Sequence, residues 1–309
     1  MKVKARRPRR HIRRMVNRVC QAIFSCSRWN KSIGLAILHT TSALVLVGVI
    51  LCLFVYDMWY VLPEIFDPYG LVYGFHLLLA LFIVCNILGN MWAAFQCDNS
   101  VASLAKSRQQ PVEGEAHLWH YCSTCQLQVP PRSWHCRMCN CCILKRDHHC
   151  TLVGNCVGHK NHRHFICFVF YLFLGSGLAL IYNGIYTWKC KAFFVADPIL
   201  MMGTYANNIN VSGSDDITWM YVVATVFKLN MFSFVVALVM FSLQMFLAYR
   251  NSTCYKIMDR SYDLGWRGNL EVVFGKRLFW IFLWPTIESP LPHDGAQWPL
   301  ELSGNNIVV

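Results

Sequence analysis

The feature that most constrains this 309-residue chain is a dense run of cysteine and histidine between residues 122 and 156. The run holds eight cysteines and three histidines, and it is too short to fold around a hydrophobic core of its own. Cysteine pairs spaced C-x2-C, followed by further Cys and His at short intervals, have the spacing of ligands for tetrahedral zinc. The sequence therefore predicts that metal ions hold this region together.

The run offers more candidate ligands than two metal ions need. Two closed zinc sites use about eight protein ligands, and a spare cysteine such as Cys141 is ordinarily inert packing or a redundant ligand. Cys150 differs, because it follows His148 by two positions and Asp147 by three. A thiol, a base and a carboxylate that orients the base together make an activated nucleophile. Spacing alone leaves Cys150 open to two roles, as this nucleophile or as a ninth ligand.

The sequence Asp147-His148-His149-Cys150, within this cysteine framework, resembles the DHHC family of zinc-finger protein palmitoyltransferases. The likeness covers residues 121–165, including Pro130-Pro131-Arg132, Asn155-Cys156-Val157-Gly158 and Asn161. It implies a two-step transferase that carries its acyl group on Cys150, with His148 as the base and Asp147 as the residue that orients His148.

The resemblance also implies two interleaved structural Zn²⁺ sites, which spacing alone does not show. The ligands it implies are Cys122, Cys125, His135 and Cys142 for one ion, and Cys136, Cys139, His149 and Cys156 for the other. Sites closed by four protein ligands leave no position for a reacting molecule, so both ions are expected to be structural.

The composition favours a membrane protein. Hydrophobic residues make up 55% of the chain and charged residues only 14%, although the net charge is +12. Soluble domains carry about a quarter charged residues. Because the basic residues are not interleaved with a polar fold, we predict no nucleic-acid partner. Half of the 16 cysteines lie in the zinc run and the others are scattered, which indicates a reducing, cytosolic setting rather than a disulfide framework.

The apolar runs predict an all-α polytopic membrane protein, with four transmembrane helices and a small two-zinc domain between the second and the third. A spanning helix needs about 20 residues, and the predicted spans are residues 34–56, 71–95, 164–188 and 219–249. Lys and Arg are abundant in the first segment (1–33) and in the zinc-bearing segment (96–163), which places both in the cytosol. Loops 57–70 and 189–218 are then lumenal, and the tail 250–309 is cytosolic.

The location implied by the resemblance is the endomembrane system, with the Golgi or endoplasmic reticulum favoured. An arginine-rich start without acidic residues also fits a mitochondrial transit peptide, but several membrane spans follow it. Asn210-Val211-Ser212 is an N-glycosylation sequon on the predicted lumenal side.

The third span begins close after Cys150, so we expect the thiol to lie at the surface of the lipid bilayer. There the tail of palmitoyl-CoA meets its phosphate-bearing head, for which Lys145 and Arg146 are candidate contacts. The position that limits acyl length in family members falls at Gly175, and so small a residue predicts a cavity for chains longer than palmitate. The expected acceptors are cysteine-containing, membrane-associated proteins.

Three places depart from the family pattern. Thr151-Leu152 follows Cys150 where Pro-Trp is usual, Asp98-Asn99-Ser100 replaces Asp-Pro-Gly, and residues 251–256 lack the glutamate of Thr-Thr-x-Glu. They leave a rival hypothesis, a membrane-embedded zinc adaptor or scaffold with weak or no transferase activity. Residues 261–265 and 289–292 nevertheless resemble the subgroup known in mammals as type 24, and residues 278–284 are predicted to lie in the membrane interface.

Overall fold

The computed structural model of the protein describes residues 33–190 and 214–298. The arginine-rich amino-terminal segment, the sequon at Asn210 and the end of the tail lie outside the described residues.

Four long apolar helices make up nearly half of the described chain. Each contains a window with a mean hydropathy of 2.2 or 2.3, and each is long enough to cross a membrane. Their bounds are Ile33–Tyr56 for α1, Leu71–Gln96 for α2, His162–Lys189 for α3 and Ser214–Tyr249 for α4. After α1 the chain stays helical through a π-helical turn, Asp57–Val61, and a single α-turn, Leu62–Ile65.

Helix α3 is the centre of the bundle, because it packs along both α2 and α4. Its most buried part, around Phe165, Phe168 and Val169, shares one apolar cluster with Ile83 and Ile87 of α2. Small residues let membrane helices approach closely. Gly175 of α3 is such a contact, since a Cβ added there would lie 3.0 Å from Ile83 Cγ2.

The cysteine-rich region between α2 and α3 is built from three separate two-stranded antiparallel sheets, so the predicted all-α fold does not describe this part of the chain. The strand pairs are β1 (His120–Cys122) with β2 (Leu127–Val129), β3 (Trp134–Cys136) with β4 (Cys141–Ile143), and β5 (His148–Cys150) with β6 (Asn155–Val157). A single hairpin is marginally stable in water, so these three hairpins need a further stabilising interaction.

Two asparagines fix the third hairpin to the end of α2. The Asn155 side chain donates hydrogen bonds to the carbonyls of Ala94, Phe95 and Cys97, at 3.0, 3.1 and 2.8 Å, and Asn161 donates to Ala94 at 3.0 Å. The last carbonyls of a helix have no partner within the helix. The asparagines supply those partners, so that Cys150 is held at a set distance from the membrane helices.

The tail returns to the cysteine-rich region and to the bundle. It contains the helix α5, Gly265–Phe274, and a 3₁₀ turn, Trp280–Phe282, in the segment predicted to be interfacial. The guanidinium of Arg132 lies over the rings of both Tyr262 and Trp298, at 4.6 and 4.3 Å from their centroids. These cation–π contacts attach the tail to the loop before β3.

Candidate active site

Two groups of cysteine and histidine side chains meet in the cysteine-rich region. The first cluster contains Cys122, Cys125, His135 and Cys142, and the second contains Cys136, Cys139, His149 and Cys156. In each cluster the ligand atoms all lie within 4.8 Å of one another. These are the two sets that the resemblance implied.

The geometry of both clusters fits zinc. Tetrahedral zinc with bonds of about 2.3 Å to sulfur and 2.0–2.1 Å to nitrogen sets neighbouring ligand atoms roughly 3.5–3.8 Å apart. In the second cluster His149 Nδ1 lies 3.7, 3.3 and 3.5 Å from the sulfurs of Cys136, Cys139 and Cys156. In the first cluster, Cys125 Sγ lies 3.2 Å from Nδ1 of His135.

The interleaving of the clusters follows from the alternation of side chains along β3. Successive residues of a strand point to opposite faces. His135 therefore turns to the first cluster and its neighbour Cys136 to the second. A metal ion in each cluster would link this hairpin to both of the others, and so supply the further stabilising interaction that the three hairpins need.

A histidine of α1 touches the second cluster. Nε2 of His39, which is buried, lies 3.1 Å from Nε2 of His149. The other ring nitrogen of His149, Nδ1, faces the cysteine sulfurs. Metal-binding histidines almost always use their second nitrogen to bond a group that sets the ring orientation, and His39 occupies that position here.

Asp147 and His148 form a hydrogen-bonded pair beside the second cluster. His148 Nδ1–H donates to Asp147 Oδ2 at 2.7 Å. The Asp147 carboxylate is buried and accepts two further hydrogen bonds, from Gln244 Nε2 at 3.1 Å and from the backbone N–H of Cys254 at 2.7 Å. Three donors on one carboxylate fix its orientation, and through it the orientation of the His148 ring.

The same contacts shift the pKa of both partners. Burial alone would raise the pKa of Asp147, but the hydrogen bond from His148, the charge of that imidazole and the hydrogen bond from the Cys254 N–H hold it well below its usual range. Burial alone would lower the pKa of His148, but Asp147 and the thiols of Cys150 and Cys254 raise it to about 11. An imidazole with a raised pKa is a strong proton acceptor for a neighbouring group.

Cys150 ends strand β5 and is a member of neither cluster. Its side chain lines an apolar cavity of about 350 Å³ between the four long helices. Phe165 also lines this cavity, and the edge of its ring packs against His148, with centroids 4.9 Å apart. The site thus combines a thiol, an imidazole–carboxylate pair and a space for a long apolar group.

Comparison with known proteins decides the family. Residues 115–261 match the DHHC palmitoyltransferase family. The chain is 30% identical over 246 residues to "Probable palmitoyltransferase ZDHHC24" of Rattus norvegicus, and the match covers 75% of this chain and 80% of the relative. The chain belongs to the DHHC palmitoyltransferase family.

Other relatives agree with this assignment. The Homo sapiens protein of the same name is 32% identical over 238 residues, or 74% of this chain and 80% of that one. "Probable protein S-acyltransferase 12" of Arabidopsis thaliana is 32% identical over 173 residues, which is 52% of each chain. The resemblance to this family and to its type-24 subgroup is therefore confirmed, and membership favours a palmitoyltransferase over a zinc adaptor.

Lys145 and Arg146, the residues expected to contact CoA phosphates, instead contact other parts of this DHHC palmitoyltransferase. Lys145 is only 1% exposed, and burial, with Arg132 nearby, lowers its pKa well below the usual value. Arg146 donates a hydrogen bond of 3.1 Å to the carbonyl of His135 and lies over the ring of Tyr255, 5.0 Å from its centroid. In this structure Lys145 therefore has almost no surface to offer a phosphate.

Sequence reasoning missed three residues of the site, namely His39, Gln244 and Cys254. Gln244 carried a usable signal, because a polar residue within an apolar span is a functional candidate by default. The same signal applies to His39. Cys254 lies in the stretch that departs from the family's Thr-Thr-x-Glu motif, and it was read there only as a departure.

Proposed function

We propose that this protein is a protein-cysteine S-palmitoyltransferase, which moves a long-chain acyl group from acyl-CoA to cysteines of membrane-associated proteins through an acyl-enzyme on Cys150. The observation that carries the proposal is the position of Cys150. It lies beside the His148–Asp147 pair, lines the apolar cavity, and is outside both clusters suited to metal.

The first step acylates the enzyme. The Cys150 thiol gives its proton to His148, and the thiolate attacks the carbonyl carbon of the acyl-CoA thioester. The bond from that carbon to the sulfur of CoA breaks, and the CoA thiolate leaves with the proton from His148, which makes His148 a base again. Asp147 holds the His148 ring in position and stabilises its positive charge.

The second step returns the enzyme to its starting state. A protein cysteine gives its proton to His148 and attacks the acyl thioester on Cys150. The bond from the acyl carbon to the Cys150 sulfur breaks, and the Cys150 thiolate takes the proton back from His148. One thioester is exchanged for another in each step, so the overall change in free energy is small. Positioning and proton transfer then set the rate, and a positioned base contributes typically 10²–10⁴-fold.

Two zinc ions would have a structural role. The two clusters would each supply four ligands, and a bound ion would hold the three hairpins in one arrangement. Because His149 in the second cluster directly precedes Cys150 and directly follows His148, that arrangement also sets the geometry of the catalytic groups.

The cavity has the length expected for a long acyl chain. Its lining on α3 runs from Phe165 to Tyr182, which is roughly 25 Å at 1.5 Å per residue. An extended chain advances roughly 1.2 Å per bond, so a palmitoyl chain needs roughly 18 Å. Gly175 lines the cavity, although Ile83 fills the space beside it. We therefore propose that donors longer than palmitoyl-CoA are accepted.

The proposed topology has both termini and the cysteine-rich region in the cytosol, in a membrane of the Golgi or endoplasmic reticulum. Support comes from the four membrane-capable helices and from the basic residues near the cysteine-rich region. A reducing compartment would keep the thiols of both clusters available for metal.

Acyl transfer to a cysteine peptide tests the proposal against the adaptor hypothesis. Purified protein in lipid vesicles is given alkynyl palmitoyl-CoA and a membrane-anchored peptide with one cysteine. We expect hydroxylamine-sensitive label on enzyme and peptide for the wild type, and on neither for Cys150→Ser. If the wild-type protein binds two zinc ions but neither the protein nor the peptide is labelled, the adaptor hypothesis is correct.

A further inference from the structure

The tail segment of residues 276–285, called here the wedge segment, carries large apolar side chains that the described chain leaves uncovered. Phe279, Trp280, Leu283 and Trp284 are 80, 63, 50 and 42% exposed. Four such residues within six positions form an apolar patch, and patches of this kind on a protein surface mark contact with a partner or a membrane.

Contacts of the wedge segment show how far along the membrane helices it lies. Tyr171 of α3 donates its hydroxyl hydrogen to the carbonyl of Phe282. Pro285 packs on Gly89 of α2, where an added Cβ would lie 2.6 Å from Pro285 Cγ. Tyr171 is nine residues from the first residue of α3, and Gly89 is seven residues from the last residue of α2. At 1.5 Å per residue these offsets are about 13 and 10 Å.

The wedge segment therefore lies beside the apolar parts of two helices and not beyond their ends. The hydrocarbon core of a bilayer is about 30 Å thick, so an offset near 10 Å still falls within one leaflet. The uncovered side chains continue the exposed surface of α2, because Trp284 packs near Phe82, with ring centroids 6.5 Å apart. Phe82 is itself 38% exposed.

Ile281 is the most buried residue of the wedge segment and fixes its orientation. Ile281 is buried in an apolar cluster with Ile166, Ala248 and Val273. The uncovered residues on either side of it then point away from the bundle. At the start of the segment Lys276 and Arg277 are exposed. Tryptophan and phenylalanine next to a basic pair are typical of segments at the boundary of a membrane with anionic lipids.

We propose that the wedge segment inserts into the bilayer leaflet on the side of the cysteine-rich region. Its four uncovered side chains lie among the acyl chains of the lipids, and Lys276 and Arg277 bind anionic headgroups. This inference rests on the proposed membrane placement of α2 and α3, and it is independent of the chemistry at Cys150. Part of the tail is then a membrane element that reaches deeper than the membrane interface, where the sequence predicts residues 278–284 to lie.

Depth-dependent quenching in full-length protein tests the insertion. A genetically encoded fluorescent amino acid replaces Trp280, Leu81 or Val112 in turn, in vesicles that contain lipids brominated at shallow or deep positions. Leu81, on the exposed side of α2, and Val112, in the cysteine-rich region, are matched controls with 41 and 47% exposure. We expect quenching at positions 280 and 81, and none at 112.

Each outcome separates the proposals. Quenching at 81 without quenching at 280 overturns the insertion and leaves the membrane placement of α2 intact. Absence of quenching at both positions overturns the placement of α2, and the insertion with it. Acyl labelling of Cys150 in the same samples reports on the enzymatic proposal separately.

A second arm tests the headgroup contacts. We expect brominated anionic lipid to quench position 280 about twice as strongly as brominated zwitterionic lipid, and this ratio to fall to about one in the double variant Lys276→Glu, Arg277→Glu. Arg260→Glu, a change at an exposed tail residue outside the wedge segment, should leave the ratio unchanged. A ratio of one in the wild type would refute binding to anionic headgroups.

Discussion

Asp147 is the residue on which the geometry of the site depends most. Its carboxylate accepts hydrogen bonds from the cysteine-rich region, from α4 and from the backbone of the tail, through His148, Gln244 and Cys254. Asp147 therefore joins three separate parts of the fold. Small changes at Asp147 should therefore affect the rate of reaction more than the affinity for the donor.

Replacement of Asp147 by Asn is predicted to slow formation of the acyl-enzyme by about 10²–10⁴-fold. The amide removes the negative charge that stabilises protonated His148. Its NH₂ group would also face hydrogen-bond donors, from which the carboxylate accepted hydrogen bonds. Rapid-quench labelling with alkynyl palmitoyl-CoA measures the rate, and Glu288→Gln, at an exposed carboxylate, is the control. A rate within twofold of wild type would show that Asp147 does not orient the base.

Replacement of Gln244 by Leu is predicted to lower kcat about tenfold with little change in the KM for acyl-CoA. Gln244 is fully buried in α4, donates to Asp147, and its Oε1 accepts a hydrogen bond from His162 Nε2–H at 2.7 Å. Loss of such a partner leaves buried polar groups unsatisfied, which costs about 1–3 kcal/mol.

The matched control for Gln244 is Thr225→Val in the same helix. The Thr225 hydroxyl bonds only to the carbonyl of Tyr221 one turn away, so kinetics of that variant should stay at the wild-type level. An increase in KM for Gln244→Leu, with kcat unchanged, would instead assign Gln244 to binding of the donor.

At the scale of structural elements, the three hairpins are predicted to depend on metal for their fold. Cys142 belongs to the first cluster, whereas its neighbour Cys141 belongs to neither. Cys142→Ser should therefore lower the zinc content from two ions to about one and make the cysteine-rich region sensitive to protease. Cys141→Ser should retain both ions and resist digestion. Equal zinc content in the two variants would contradict the assignment of the first cluster.

The contact between α2 and α3 is predicted to set acyl length. Gly175→Leu would extend a side chain into the cavity or against Ile83, so the longest efficient donor should become shorter than palmitoyl-CoA. Ile83→Ala removes bulk at the same contact and should shift the limit toward longer chains. Competition among acyl-CoA donors of increasing length measures both limits. Identical cutoffs in the two variants would exclude this contact as the determinant.

At the scale of the whole molecule, some features could be predicted from sequence because they depend on local pattern. The apolar runs predicted four helices, and the residues that matched the family predicted which cysteines and histidines cluster together. The β-hairpins were missed, because each strand is only three residues long and gives little periodicity.

The support around Asp147 could not be predicted, because it joins residues far apart in the chain. Gln244 lies 97 positions from Asp147, and Cys254 lies 107 positions away. Such contacts arise only when α4 and the tail pack against the cysteine-rich region. The burial of Lys145 follows from the same packing, since Trp298 of the tail lies over its ammonium, 6.0 Å from the ring centroid.

In the proposed site, metal ions hold a single uncoordinated thiol beside an imidazole at the end of an apolar cavity. Peptide mapping of the full-length protein after one turnover with palmitoyl-CoA, with zinc measured in the same sample, tests this arrangement. We predict one hydroxylamine-labile acyl group on the peptide that contains Cys150, and two zinc ions per chain in both the wild type and Cys150→Ala. An acyl group on another cysteine, or loss of a zinc ion in Cys150→Ala, would contradict this account.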